Sequence, residues 1–270
     1  MKTIVIGDIH GHDTWKQVIN KEIDADKFIF IGDYFDSFTI PGLIQMQNFQ
    51  DIIAFKESMQ GIELIANPPQ KVVMLIGNHD YHYFPEIGYT GCSGYQDRMA
   101  PSINHLIDKH RKHLQICYQM DEFLFSHAGI CETWMDKQFG DYANYGWSEE
   151  NIATKVNELF QYQPKKLDFS GRDGSGDNVG QSPIWIRPRS LQKSNYDNLR
   201  SKVIQVVGHT LQSQIDIEGK STGGRYYYID TLGTSGEYLI IEDELVDYVY
   251  INESNGAPAY QQKIKVGKVC

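Results

Sequence analysis

Residues 4–10 read IVIGDIH: three apolar residues of strand type, a glycine, and then two metal-ligand side chains, Asp8 and His10, two positions apart. The same arrangement returns four more times, in FIFIGDYFD at residues 28–36, VVMLIGNHD at 72–80, FLFSHAG at 123–129 and VIQVVGHT at 203–210. Each run is short, rich in Val, Ile, Leu and Phe, and bounded by Gly or Ser, as a buried strand requires. The residues that follow are Asp8, His10, Asp33, Asn78, His127 and His209. This oxygen and imidazole set suits two hard or borderline divalent or trivalent ions. The six are scattered over about two hundred residues. Each nevertheless stands just beyond a strand's carboxyl end, where an α/β sheet presents side chains to a crevice.

Working outward, residues 12–25 carry Trp15, Val18, Ile19 and Ile23 at near-helical spacing, a crossover helix of a βαβ unit. Residues 41–65 place Leu43, Ile44, Met46, Phe49, Ile52, Ile53 and Phe55 on an amphipathic helix that stops before Asn67-Pro68-Pro69. From Tyr81 to His113 the chain turns polar and aromatic, a glycine-bearing loop and then a helix; His105, His110 and His113 there read as surface histidines without carboxylate neighbours at a useful spacing. Residues 164–188 are dense in Gly, Ser, Asp and Pro, a long loop made ordered by Ile184-Trp185-Ile186. Three strand-like stretches near the end, 226–230, 237–242 and 245–251, are expected to add antiparallel strands completing a second sheet. The expectation is an α/β chain with α+β character, folded as a single domain over residues 1–270.

Composition narrows the function. The 35 acidic against 25 basic residues give a net charge of −10, which opposes sequence-indifferent binding to a nucleic-acid backbone. Cys92, Cys117, Cys131 and Cys270 form no CxxC pair and read as reduced thiols. The first residues show no signal-peptide pattern and no later run reaches membrane-spanning length, so the cytoplasm is the expected compartment, with no membrane partner. Oligomeric state is not readable.

Asp8 and His10, two apart after a strand, can face one ion together. A carboxylate at Asp33, ending the neighbouring strand, can bridge two ions, with Asn78, His127 and His209 completing the second set. Water held between two cations loses much of its proton affinity and becomes a nucleophile. His79, next to Asn78, is the candidate general acid for the leaving-group oxygen, and Asp36 the carboxylate that orients it and keeps it protonated.

GDIHG at residues 7–11, GDYFD at 32–36, GNHD at 77–80, His127 in SHAG and His209 in GHT together resemble the calcineurin-like metallophosphoesterases, specifically their phosphoprotein phosphatase branch, over roughly residues 1–235. The resemblance implies a four-layer sandwich, two mixed β-sheets flanked by helices, around a dinuclear centre, with Mn2+ first and Fe or Zn as alternatives. Two positions depart from that branch: Ser37 stands where it carries a phosphate-gripping arginine, and Asp80 where it has glutamate. Leu211 stands where the wider superfamily often has a second histidine, as in the phosphoprotein phosphatase branch, which weakens a nuclease reading.

With Ser37 in place of a clamp, the positive charge toward substrate must come from Arg187, then Arg189 and Arg172, since guanidinium binds phosphate oxygens bidentately; Asn78 would also face substrate. The leading expectation is a metal-dependent phosphomonoesterase acting on a phosphorylated protein or a small phosphoester. The alternative is a dinucleoside polyphosphate hydrolase, with Trp185 and Tyr145 available to stack a base. Nucleic-acid end processing and a catalytically inactive scaffold rank behind both. His12 reads as a solvent-facing helix start, Asp80 as a brace for loop backbone, and Asp230 as a support for the His209 loop.

Overall fold

The structure is a computed structural model that describes residues 1–60, 71–142, 146–171, 178–194, 199–216, 225–246 and 259–269. In chain order its elements are β1 (Lys2–Ile6), α1 (Trp15–Lys21), β2 (Lys27–Phe30), α2 (Gly42–Gln60), β3 (Val72–Leu75), α3 (Asn78–Tyr81), α4 (Ala100–His110), β4 (Leu114–Gln115), β5 (Cys117–Met120), β6 (Phe123–Ser126), α5 (Glu132–Phe139), α6 (Ile152–Tyr162), α7 (Pro188–Ser194), α8 (Leu199–Lys202), β7 (Ile204–Val207), β8 (Tyr226–Tyr228), β9 (Glu237–Val246) and β10 (Ala259–Lys268). They form a six-stranded sheet in the order β10-β9-β1-β2-β3-β4 and a four-stranded sheet in the order β5-β6-β7-β8. Both are mixed. β1 to β4 run parallel while β9 joins β1 antiparallel; β6, β7 and β8 run parallel while β5 joins β6 antiparallel.

Strand periodicity explains the layers. In β1 to β3, Val5, Ile29, Val73 and Leu75 face Phe123, Phe125, Val206 and Tyr227 of the other sheet, forming one core between the sheets. Their neighbours Ile4, Ile6, Phe28, Phe30, Val72 and Met74 point the opposite way into a second core under the helices. Trp15 of α1 meets Phe30 edge-on at 5.8 Å and Phe55 of α2 meets Phe28 at 5.3 Å, covering the outer face of the larger sheet. Against the smaller sheet, the Asn157 side chain of α6 accepts from the Ile116 and Cys117 amides. The result is helix, sheet, sheet, helix, the fold class expected.

Three sequence expectations change. Ile23 lies past the end of α1 and is 81% exposed, and Leu43 and Ile44 stand exposed in the first turn of α2. The stretches at 237–242 and 245–251 belong in part to one strand, β9, which pairs with β1 and so extends the first sheet instead of completing the second; residues 247–251 lie outside the described residues. β8 does enter the second sheet, but in parallel with β7. Cys92, Cys117 and Cys131 are free and buried, and among the described residues no helix is long and apolar enough to cross a membrane.

Candidate metal centre

The carboxyl ends of β1, β2, β3, β6 and β7 bring their ligands together, each delivering one within three residues of the strand's end and β1 adding His10 a residue beyond that. The turns that do so are strained. Five non-glycine residues among those described adopt positive φ, and four are His10 (42°), Asp33 (52°), Asp36 (68°) and His209 (64°). Such left-handed conformations disfavour a side chain by about 1 kcal/mol or more, and they persist where the surrounding structure over-determines them. The glycines before the ligands act through space as well as angle. A Cβ on Gly77 would stand 2.0 Å from Asp33 Oδ1, and one on Gly208 would stand 2.0 Å from Asp8 Oδ1. Each of these carboxylates crosses the bare backbone of the neighbouring strand end.

Three histidines are oriented by backbone carbonyls. His10 Nδ1 is 2.8 Å from Phe35 O, His127 Nδ1 is 3.1 Å from Ile31 O, and His209 Nε2 is 3.2 Å from Trp185 O. Each of those nitrogens therefore carries a proton and donates, leaving the other ring nitrogen as a lone pair, the arrangement that orients metal-binding imidazoles. The free His127 Nε2 lies 3.1 Å from Asn78 Oδ1 and 3.3 Å from Asp33 Oδ2; His10 Nε2 lies 3.7 Å from the same Asp33 oxygen. The Asn78 amide donates to Cys92 Sγ at 3.4 Å, which turns its oxygen inward.

With His127 neutral, acceptors meet acceptors there, a conflict that either a proton on Nε2 or a cation resolves. Two groups of ligand atoms, each within 4.8 Å, satisfy the requirement: Asp8, His10 and Asp33, and Asp33, His127 and His209. They share Asp33, whose Oδ1 is fixed by the His79 amide at 2.9 Å. Protonation behaviour agrees with a donor set that attracts positive charge. Burial, partly offset by His127, raises Asp8 to about 7. Burial and Asp8 raise Asp230, at the end of β8, to about 8. Burial opposes a charged His127, yet Asp33 and Asp8 lift it to about 9, a proton standing where an ion would. His209 is driven far down by burial and by His127, so its lone pair stays available. Residues and donor set fit two divalent ions.

Beside this cluster His79 Nδ1 contacts Asp36 Oδ2 at 2.9 Å. Burial lowers His79, but Asp33 and Asp36 outweigh it and raise the imidazole above its ordinary range. Tyr83 Oη donates to the other Asp36 oxygen at 2.6 Å, and His82 Nε2 stands 2.9 Å from the same oxygen as His79, an ion-pair contact without hydrogen-bond geometry. Burial alone would raise Asp36; the His79 and His82 contacts pull it below the usual carboxylate range. Asp80 accepts from the Asp33, Tyr34 and Gly77 amides at 2.8, 2.7 and 2.9 Å, bracing the loops that carry Asp33 and Asn78.

The structure therefore brings together all six candidate ligands with His79 and Asp36. Arg187, exposed, donates to the His209 carbonyl at 3.0 Å and Thr210 Oγ1 at 3.2 Å, which sets its guanidinium on the rim. Arg189 is exposed in α7, and Arg172 and Tyr145 lie outside the described residues. Ser37 is buried and its hydroxyl accepts from the Thr39 and Ile40 amides, so it serves its own loop. Leu211 is 67% exposed and His12 is exposed. Sequence reading missed His82 as a partner of Asp36; its place three residues after His79 in a helical turn is the signal that marks it. One expectation is corrected: His110 and His113 do have a carboxylate neighbour, Glu57 from α2, whose Oε1 lies 3.4 Å from His113 Nε2.

Fold and strand-end cluster together describe a hydrolase that works on phosphorus with metal ions. Residues 1–213 match the calcineurin-like phosphoesterase family, and the chain belongs to it. Its members are metallophosphoesterases that use two metal ions. Among curated proteins the chain is similar to a symmetrical bis(5'-nucleosyl)-tetraphosphatase from Pectobacterium atrosepticum, 22% identical over 86% of this chain and 87% of that one. Among solved structures it is similar to a metallophosphoesterase from Sphaerobacter thermophilus (13% identical, 89% of this chain and 82% of that one, TM-score 0.42). It is also similar to Yfce, a phosphoesterase from E. coli (9% identical, 89% and 87% covered, TM-score 0.35).

Proposed function

We propose that the protein hydrolyses bis(5'-nucleosyl) polyphosphates, with Asp8, His10, Asp33, Asn78, His127 and His209 as ligands of two divalent ions, Mn2+ first among them. The observation that carries the two-ion centre is Asp33, the one residue common to both ligand groups. Support for a nucleotide over a phosphoprotein comes from the similarity to a symmetrical tetraphosphatase and from Ser37, whose hydroxyl is spent on its own turn and supplies no phosphate clamp.

Bound divalent ions supply Lewis acidity, neutralising phosphoryl charge and making water a better nucleophile. The chain's own residues do the rest. His79 is held through Nδ1 by Asp36, which keeps the imidazole protonated and leaves the Nε2 proton for the departing phosphate oxygen. His82 and Tyr83 fix the Asp36 carboxylate so that the acid does not rotate away. Arg187, steered by the His209 carbonyl, offers its remaining N–H groups to a phosphate oxygen at the rim.

The test is a side-by-side assay of one Mn2+-loaded preparation on diadenosine tetraphosphate and on a phosphoserine peptide. The expected result is turnover of the nucleotide at least ~10-fold faster in kcat/KM, splitting it into two nucleoside diphosphates. Faster release of phosphate from the peptide would replace this reading with the phosphoprotein one.

A further inference from the structure

Next to the metal centre lies a cleft of about 700 Å3 that the proposed chemistry does not use. One wall is Ser37 and Phe38, directly after Asp36; the other is the loop from Tyr89 to Asp97. The walls of the cleft abut the site. A Cβ on Gly94 would stand 2.4 Å from the Asp36 carbonyl, and Cys92 Sγ contacts both the Asn78 amide and the Asn78 carbonyl at 3.4 Å. Gln96 ties the walls together, its side-chain amide donating to Ser37 O at 3.1 Å and Gly94 O at 2.7 Å.

Two features describe the occupant. Large aromatic rings are held in water: Phe38 is 80% exposed and Tyr89 is 60% exposed. Tyr89 packs on Tyr95 at 4.6 Å, and Tyr95 stacks on Tyr83 at 5.2 Å, whose hydroxyl reaches Asp36. This aromatic wall runs from the open rim to the candidate acid pair. Secondly, Asp97 is the only charged side chain among the lining residues. Without a cation the cleft disfavours phosphate or carboxylate and favours a flat, uncharged ring system. The volume falls within the range of small-molecule sites.

We propose that this cleft is the nucleobase subsite: the base of the nucleoside whose phosphate chain enters the metal centre stacks on Phe38 and Tyr89. The assignment rests on the nucleotide reading above and goes further, since it names the residues that select a nucleoside. Base stacking on an aromatic side chain is sequence-tolerant, so the subsite accepts nucleobases broadly.

Both rings are exposed, so truncating them spares the core, and the Phe38→Ala, Tyr89→Ala and double variants can be made in the full chain. Calorimetric titration with adenosine 5'-diphosphate in the presence of Mn2+ should show Kd weakened about 10-fold per ring, the loss of one stacking contact. kcat/KM for diadenosine tetraphosphate should fall about as much relative to that for p-nitrophenyl phosphate, and Phe38→Trp should restore both. Wild-type affinity for the nucleotide in the double variant would overturn the subsite even where the wild-type chain hydrolyses dinucleoside polyphosphates. If the wild-type chain turns over only phosphopeptides and the variants raise the peptide KM, the cleft is a peptide site and the proposal is overturned together with the nucleotide reading.

Discussion

The strand-end cluster and the aromatic cleft beside it share the Asp36 loop but are built on opposite principles. In the cluster Asp8, Asp33, Asn78 and His127 are at most 5% exposed, the ligands follow parallel strands, and His10, Asp33 and His209 hold left-handed conformations. In the cleft Phe38 and Tyr89 stand mostly in solvent on loops, tied down by single contacts such as the Gln96 amide. Strain is affordable only where a sheet enforces it, so the reacting geometry sits on the sheets. Selection among substrates sits on loops that tolerate change.

That contrast breaks most visibly at the acid. His79→Ala should retain both metal ions while lowering kcat by about 10² to 10⁴-fold, because general acid catalysis contributes that much and His79 is outside the ligand set. Loss of metal from His79→Ala, measured by elemental analysis, would place His79 in the cluster instead. Gly208→Ala should act more weakly and through metal affinity, lowered about 10 to 100-fold as Asp8 is pushed aside by a Cβ that would stand 2.0 Å from its oxygen. Gly91, in the loop between Tyr89 and Cys92, has no atom near its would-be Cβ; Gly91→Ala strains that loop, where φ is 86°, but should leave metal affinity unchanged.

A smaller effect follows from protonation. In the metal-free fold Asp8 is raised to about 7, Asp230 to about 8 and His127 to about 9. Groups raised on folding stabilise the fold fully below their unfolded values, about 4 for the carboxyls and about 6.5 for the imidazole, and that stabilisation is lost as pH rises through the folded values. Asp8 therefore loses its contribution between about pH 4 and 7, Asp230 between about pH 4 and 8 and His127 between about pH 6.5 and 9, so the chelated protein should lose stability from about pH 4 to 9. Ions displace the same protons, so the gain in Tm from Mn2+ over chelator should widen across that window. A gain independent of pH would separate these groups from metal binding.

The five strand-end motifs were legible because each is local: a hydrophobic run, a glycine and a ligand lie within a few residues. Sheet membership of the chain's end was not, since alternation in residues 237–242 shows that a strand exists and not which edge it joins; β9 pairs with β1, across more than two hundred residues. His82 drew no attention because its contact, Asp36, lies on another loop. Glu57 escaped notice beside His110 and His113 for the same reason. The cleft has no sequence signature, as Phe38 and Tyr89 are brought to one cavity by folding alone. Short-range order writes the chemistry into the sequence, and long-range packing writes the selectivity.

The central claim is that one carboxylate, Asp33, joins two ion sites. It is tested most directly by counting Mn2+ per chain, after loading and gel filtration, in the wild-type protein and in Asp33→Ala. Two ions in the wild type and loss of both in the variant, with hydrolysis down by about 10³-fold or more, are expected when a shared ligand is removed. A wild-type chain that binds a single ion, or a variant that keeps both, would contradict the shared centre.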